Sequence, residues 1–203
     1  MQTTLATKLE PAPAGTLTLN FLEGPAYIRD DVHVRQRFFT RHSDAGTLVG
    51  KTLNVMFTID RPAKEVWGQL KDFNLWQNSY EHYYSEVVGD SEGKTFRLSL
   101  VRDEPGPHQY KVVRVIPEHL IVIVQPLLVD GSDPGSSPDC HVFLLNEHGG
   151  KTTVTALMEH AIRVTTGTVD EAVARWQKIA ADSQMKWVEY FIPTLKKRVY
   201  GQT

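Results

Sequence analysis

Residues 51–67, KTLNVMFTIDRPAKEVW, are the most informative about the fold. Every second residue from 53 to 59 is apolar, which predicts a strand with one buried face. The pattern then changes to helical spacing, because Asp60 can cap a helix and Pro62 suits a first helical turn. We therefore predict that a main domain opens with a strand that runs directly into a short helix.

Six further strand-like segments follow at short spacing. They are residues 82–88, 94–102, 109–116, 119–125, 140–146 and 151–163. The Gly, Pro and Asp residues between most of them are typical of hairpin turns, which favours an antiparallel meander over parallel strands with helical crossovers. Before these strands, the aromatic- and amide-rich segment 72–80 predicts a second short helix or a structured loop.

A long helix is predicted at the C-terminal end. Thr168 and Glu171 have the spacing of a capping box, and Pro193 should kink the helix or remove one backbone bond near its end. An apolar stripe at helical spacing predicts the face that packs on the sheet. Its members are Val173, Trp176, Ala180, Trp187, Phe191 and Leu195.

Residues 1–50 are predicted to be an N-terminal extension of a main domain that spans 51–203. The first 15 residues are small, polar and rich in proline, so we expect them to be mobile. Residues 16–50 contain two short alternating patterns. The extension could wrap the main domain, pair with the edge of its sheet, or form a contact in an oligomer such as a homodimer, and the sequence leaves the three open.

Charge and composition exclude several classes of function. The 22 Lys and Arg residues are balanced by 24 Asp and Glu residues, so the excess positive charge of a nucleic-acid-binding protein is absent. The single cysteine, Cys140, cannot form an internal disulfide, which fits a reducing compartment. No apolar run approaches the roughly 20 residues that span a bilayer. We therefore expect a cytoplasmic protein with no nucleic-acid partner and no membrane insertion.

Residues 55–67, followed by Asp72-Phe73 and Trp76, resemble the START-like or SRPBCC superfamily. This superfamily includes the birch-pollen-allergen relatives, the polyketide cyclases and the lipid-transfer START domains. The resemblance implies an α+β helix-grip fold: a seven-stranded antiparallel curved sheet wrapped around a long C-terminal helix, with two short helices after the first strand. It also implies an elongated apolar cavity between sheet and helix. The superfamily has no shared catalytic motif, so function must be argued from individual side chains.

Two histidines fall on strand faces that would line this cavity. His160 shares its face with Val154, Ala156 and Met158, and His141 alternates with Phe143 and Leu145. An imidazole in a cavity can act as general acid or base near neutral pH, or hydrogen-bond a ligand carbonyl. The competing interpretation is that both histidines belong to the core and make their hydrogen bonds within the protein. A third metal ligand with recognisable spacing is missing, so we expect no metal site.

Other side chains complete the predicted site. Tyr110 is a candidate hydrogen-bond partner of a carbonyl or enolate oxygen, although Val113 and Val115 argue for the opposite strand face. Arg102 is a candidate anion clamp at the cavity mouth, unless it extends to solvent. Aromatic and apolar residues are predicted to contact the ligand or to seal the core. They are Trp76, Tyr80, Tyr83, Phe96, Leu98 and Met158.

These residues favour an enzyme that binds a small hydrophobic molecule, aromatic or polyketide-like, and catalyses an acid/base reaction of cyclase, dehydratase, isomerase or lyase type. No nucleotide- or nicotinamide-binding motif, nucleophile elbow or HExxH is found, so no cofactor is expected. The alternative is a non-catalytic carrier or sensor of a lipid or sterol. A third hypothesis is an interaction domain that functions through residues 16–50 and an exposed patch.

Overall fold

A computed structural model describes residues 18–43, 46–71, 82–87, 95–100, 108–124 and 140–201. Within these ranges nine strands form one antiparallel sheet in the order β1-β2-β3-β9-β8-β7-β6-β5-β4. The strands are β1 (Thr18–Arg29), β2 (Val32–Ser43), β3 (Gly46–Ile59), β4 (His82–Val87), β5 (Thr95–Leu100), β6 (His108–Ile116), β7 (Leu120–Val124), β8 (Cys140–His148) and β9 (Lys151–Arg163).

Strands β3 to β9 are the seven predicted strands, and their antiparallel pairing confirms the predicted fold class. β3 pairs with β9, the first and last strands of this set, while the remaining neighbours are joined in chain order. The predicted second short helix falls in residues 72–80, which lie outside the described ranges, as do residues 1–15.

The N-terminal extension adds two strands to this sheet. β2 pairs with β3 along its own whole length, from Val32 opposite Phe57 to Ser43 opposite Gly46, and β1 pairs with β2. Of the three arrangements that the sequence left open, the structure therefore has pairing with the sheet edge. β3 itself begins at Gly46, so one strand crosses the expected boundary between the extension and the main domain.

Helix α1 (Ala63–Leu70) follows β3, as predicted, but its N-terminal cap is different. The prediction that Asp60 caps the helix is wrong. Pro62 occupies the cap position without a side-chain cap bond, and the backbone N–H of Ala63 donates to the carboxylate of Glu147 at 2.8 Å. Asp60 instead forms an ion pair with Lys151, at 3.4 Å. The acceptor is supplied by a neighbouring strand, which no local pattern reveals.

The C-terminal helix is divided into α2 (Val169–Lys186), a π-helical segment (Trp187–Phe191) and α3 (Ile192–Val199). Thr168 and Glu171 make both hydrogen bonds of the predicted capping box. Pro193 lies in the first turn of α3, where its missing N–H is tolerated. The π-helical segment lies immediately before α3.

The helices of the described ranges pack on one face of the sheet and form the core with it. The central residues of this face are apolar and fully or almost fully buried. They include Val34, Leu53, Val55, Phe57, Ile121, Phe143, Val154, Ala156, Trp187, Phe191 and Leu195. Among the described residues no helix is both long enough and apolar enough to cross a membrane.

Candidate functional site

Polar side chains interrupt the apolar, helix-covered face at the end where α2 crosses β1, β2 and β3. Lys51 of β3 lies directly opposite His160 of β9, and on its other side opposite Phe38 of β2. Opposite residues in an antiparallel pair have Cβ atoms about 5 Å apart, so their side chains are neighbours. The strand register therefore brings an amine and an imidazole together.

The two predicted histidines are in contact. The rings of His141 and His160 are 5.1 Å apart between centroids and nearly perpendicular, with an interplanar angle of 76°. His141 lies opposite Met158, so it is the diagonal neighbour of His160 across the β8–β9 pair. His141 is only 6% exposed, whereas His160 is half-buried. His160 is thus the imidazole nearer to solvent, and His141 lies deeper.

Trp176 of α2 forms the helical wall of this cluster. Its ring centroid is 6.4 Å from that of His160, with the two planes inclined by 31°. Its indole N–H donates to the backbone carbonyl of Val49 at 3.0 Å, which ties α2 to β3. The side chain that the sequence assigned to helix packing therefore also contacts the candidate acid/base residue.

Lys51 is buried to 3% exposure in the same cluster. Its ammonium nitrogen donates to the hydroxyl of Ser183 and lies 5.6 Å from the ring centroid of Trp176. Both partners belong to α2, so the aliphatic stem of Lys51 is confined between sheet and helix. Sequence analysis did not single out Lys51, although its spacing from Leu53 places it on the inward face.

Buried amide and hydroxyl groups extend the polar cluster across β2. Gln36, which is 1% exposed, donates from its amide nitrogen to the carbonyl of Ala180 at 2.8 Å. Within the described ranges, the side-chain oxygens of Gln36, Thr40 and Gln184 have no hydrogen-bond partner. Buried polar atoms are normally satisfied, so these oxygens are available to a water molecule or to a polar group of a ligand.

The remaining predicted site residues fall in two groups. Met158 is buried on β9 opposite His141 and Leu53. The others lie on β4, β5 and β6, at the far end of the sheet, or outside the described residues. In the strand register, Tyr110 lies opposite Phe96, and Tyr83 lies opposite Ser99. Leu98 lies between His108 and Tyr84. Trp76, Tyr80 and Arg102 lie outside the described ranges.

A β-bulge in β6 explains why the faces of this strand were hard to assign. The pairing with β7 shifts between Val112 and Arg114, so that Val112 and Val115 lie opposite the buried residues Ile123 and Ile121. Strict alternation from Val112 would put Arg114 on the same buried face, but Arg114 is exposed. Because the bulge inserts one residue, Val112 and Val115 can share a face although they are three positions apart.

A metal centre has no visible ligand set in the described part of the chain. Groups of three or more His, Cys, Asp or Glu side chains suitable for a metal ion are not found there. The pair of His141 and His160 offers two nitrogen ligands, fewer than the three or four that protein zinc sites supply. The site is therefore best described as paired imidazoles with a buried amine and amide groups.

Comparisons with known proteins identify the fold. No protein-family model and no curated protein matches the chain. Among solved structures, norcoclaurine synthase from Thalictrum flavum in complex with dopamine and hydroxybenzaldehyde is 14% identical, with a TM-score of 0.53 over 77% of this chain and 90% of that chain. Ara h 8.0201 is 9% identical, with a TM-score of 0.51 over 75% and 99% of the two chains.

Protein MLL2253 from Mesorhizobium loti is 18% identical, with a TM-score of 0.51 over 75% of this chain and 98% of that chain. The TM-scores show a shared fold, and at such low identities they show nothing more, so the chemistry must be argued from the individual residues. The structural neighbours belong to the superfamily that residues 55–67 resemble. The chain therefore has the helix-grip fold of the START-like, birch-pollen-allergen-like superfamily.

Proposed function

We propose that the chain binds a small, largely apolar molecule, aromatic or polyketide-like, between the sheet and α2, and catalyses a cofactor-independent acid/base reaction on it. A cyclisation, dehydration, isomerisation or lyase reaction fits this description. The observation that carries the proposal is the contact between His141 and His160, 5.1 Å apart on the helix-covered face of the sheet.

Paired imidazoles supply what such a reaction needs. Histidine exchanges protons near neutral pH, and a neutral ring has one nitrogen that donates and one that accepts. His160 is the more accessible ring, so we assign it the proton transfer with the ligand. His141, buried behind it, is assigned as hydrogen-bond partner of a carbonyl or enolate oxygen, or as the group that fixes the orientation of His160.

The surroundings support an aromatic ligand. Trp176 presents an indole ring beside His160, and flat ligands stack favourably on such rings. In addition, the norcoclaurine synthase of similar fold was solved with dopamine and hydroxybenzaldehyde, two small aromatic molecules. Roles for Tyr110 as a hydrogen-bond partner and Arg102 as an anion clamp remain part of the proposal, as do ligand contacts by Trp76, Tyr80, Tyr83, Phe96, Leu98 and Met158.

The first test identifies the ligand. Native mass spectrometry of the protein purified from its own host, followed by denaturing extraction, should reveal a retained aromatic or polyketide-like compound. A retained fatty acid or sterol that the protein leaves unchanged would instead favour the non-catalytic carrier or sensor.

The second test addresses the chemistry with the compound found. Substitution His160→Gln should lower turnover by about 10²–10⁴-fold, the usual contribution of a positioned acid or base, and leave the fold intact by circular dichroism. His148→Gln, in the exposed end of β8, is the matched control and should keep full activity. Unchanged turnover in His160→Gln would overturn the assignment.

A further inference from the structure

Gln36 of β2 has a buried side chain with one hydrogen bond made and one left unmade. The residue is 1% exposed, and its amide nitrogen donates to the backbone carbonyl of Ala180 at 2.8 Å. A carbonyl oxygen only accepts, so the amide nitrogen must face Ala180 and the amide oxygen must point elsewhere. Within the described ranges this oxygen is buried and has no hydrogen-bond partner. The amide therefore has a fixed orientation and presents an acceptor without a donor.

A second unpartnered oxygen belongs to the same turn of α2. In an α-helix the backbone N–H of Gln184 donates to the carbonyl of Ala180, so Gln36 and Gln184 meet at one carbonyl group. Helical side chains lean toward the N-terminus, which directs the side chain of Gln184 back over this turn. Its side-chain oxygen is also buried without a partner among the described residues. Two acceptors cannot bond to each other, so this turn lacks a group that donates hydrogen bonds.

We propose that Gln36, with Gln184 beside it, binds a hydroxyl group of the ligand and so determines which ligand is accepted. This inference rests on the proposed function, because it names a part of the ligand on which His160 acts. The hydroxyl group donates its hydrogen bond to the side-chain oxygen of Gln36. A neutral donor fits this place better than an ammonium group, since none of the described inward-facing residues of β2, β3 and β9 carries a carboxylate that would balance the charge.

The strand register separates this hydroxyl site from the reacting end of the ligand. Gln36 lies opposite Leu53 of β3, which lies opposite Met158 of β9, and His160 is two positions further along β9. Two strand spacings of about 4.8 Å and two residues of about 3.4 Å place the backbones of Gln36 and His160 about 12 Å apart. Gln36 is therefore a specificity-determining residue and not a catalytic one. A ligand that contacts both must bridge most of this distance, which favours the fused rings of a polyketide-like molecule over a single ring.

Attachment of the helix is the competing explanation for Gln36. Its nitrogen joins β2 to α2, and a buried water molecule or a turned amide of Gln184 would satisfy its oxygen without any ligand. In that case Gln36 affects the stability of the fold alone. The two explanations differ in whether Gln36 changes the relative affinity for ligands with and without a hydroxyl group.

Two naphthalene derivatives of nearly equal size test the proposal in the full-length protein. The compound 2-naphthol carries a hydroxyl group where 2-methylnaphthalene carries a methyl group, and the binding of each is measured by quenching of tryptophan fluorescence. The wild type should bind 2-naphthol roughly tenfold more tightly, because the methyl group leaves a buried acceptor unsatisfied. Gln36→Met should abolish this preference, whereas Gln177→Met, the same substitution at an exposed position of α2, should keep it.

A second variant, Gln184→Met, keeps the test decisive if Gln36→Met folds poorly by circular dichroism. It removes the second oxygen without breaking the hydrogen bond from Gln36 to Ala180, and it should reduce the preference for 2-naphthol several-fold. Equal binding of the two compounds by the wild type, or an unchanged preference in both variants, overturns the hydroxyl site alone. Absence of binding by both compounds overturns the hydroxyl site together with the aromatic ligand of the proposed function.

Discussion

Gly50 shows how closely the strands pack beside the candidate site. It precedes Lys51 in β3 and lies opposite Ala161, and an added Cβ would come within 2.6 Å of Phe39 Cζ and 2.9 Å of Ala161 Cβ. Real Cβ atoms essentially never approach so closely, so strands or rings would have to move. The absence of a side chain at this position allows β3, β9 and Phe39 to pack together.

We therefore expect Gly50→Ala to lower the free energy of unfolding by about 1–3 kcal/mol, the usual cost of overpacking. Urea denaturation monitored by circular dichroism measures this. Gly68→Ala is the matched control, because an added Cβ there has no neighbour within 4 Å and α1 should gain up to about 1 kcal/mol from the better helix former. Equal stability of the two variants would contradict the packing argument.

Single residues also show what the sequence could predict of the site. His141 and His160 lie on regular strands, so alternation was enough to place both on one face. Lys51 obeys the same alternation, but a charged residue at the start of a pattern looks like a strand end, and only the pairing with β2 shows that it is buried. Gln36 was missed for a related reason, since its burial depends on contact with α2.

Among the secondary-structure elements, helix α1 has its N-terminal cap supplied by a residue outside the helix. The N–H of Ala63 would be unsatisfied in the first turn, and Glu147 of β8 accepts its hydrogen bond. The carboxylate also lies at the positive end of the helix dipole, which adds a favourable charge interaction. A cap supplied by residue 147 cannot be read from the sequence around residue 63.

Glu147→Ala should accordingly lower the free energy of unfolding by about 1 kcal/mol, as does the loss of a local N-cap. The locally plausible cap, Asp60, is the comparison. Asp60→Ala removes only an exposed ion pair with Lys151, worth about 0–1 kcal/mol, and should cost less. Urea titrations at neutral pH measure the change in the free energy of unfolding for both variants. A larger effect of Asp60→Ala than of Glu147→Ala would show that the cap has been assigned to the wrong carboxylate.

The C-terminal helix shows which features of a helix can be predicted from its sequence pattern and which cannot. The capping box at Thr168 is local and was predictable, and Pro193 follows an irregularity, the π-helical segment. The form of that irregularity was not predictable, because it depends on packing in the core. In the π-helical segment, Trp187 and Phe191 bring their rings to 4.3 Å, and Phe143 of β8 lies 6.4 Å from each of them.

At the scale of the whole molecule, the N-terminal extension is part of the candidate site. β2 contributes Gln36, Phe38 and Thr40 to the face covered by α2. The sequence predicted the seven strands of the main sheet because hairpin turns connect close neighbours. It could not choose the position of β1 and β2, since an alternating hairpin fits any free sheet edge equally well, and only the pairing with β3 settles it.

One ion pair joins the extension to the C-terminal end of the fold. Asp31, in the turn between β1 and β2, accepts a hydrogen bond from Lys196 of α3 at 2.8 Å. Partial burial raises the pKa of the Asp31 carboxyl, but the hydrogen bond from Lys196, its charge and hydrogen bonds from the backbone together outweigh this, and the pKa lies below its ordinary value of 3.8. The folded protein therefore binds this proton less readily than the unfolded chain.

The pair should stabilise the fold above pH 3.8, and the contribution should be lost as the pH falls through the lowered pKa of Asp31. Because the two side chains are 45% and 27% exposed, we expect Asp31→Asn to cost less than about 1 kcal/mol at neutral pH. Well below pH 3.8 the variant and the wild type should be equally stable, since the carboxyl is then neutral in both states.

Urea titrations of both proteins across this pH range measure the difference. Asp30→Asn is the control, because Asp30 lies 3.9 Å from Arg29 in a more exposed pair and has a φ of 51°, which asparagine also adopts readily. This variant should match the wild type at every pH. If the cost of Asp31→Asn stayed constant down to the lowest pH, the ion pair would not be its source, and the attachment of the extension to α3 would have to rest on packing alone.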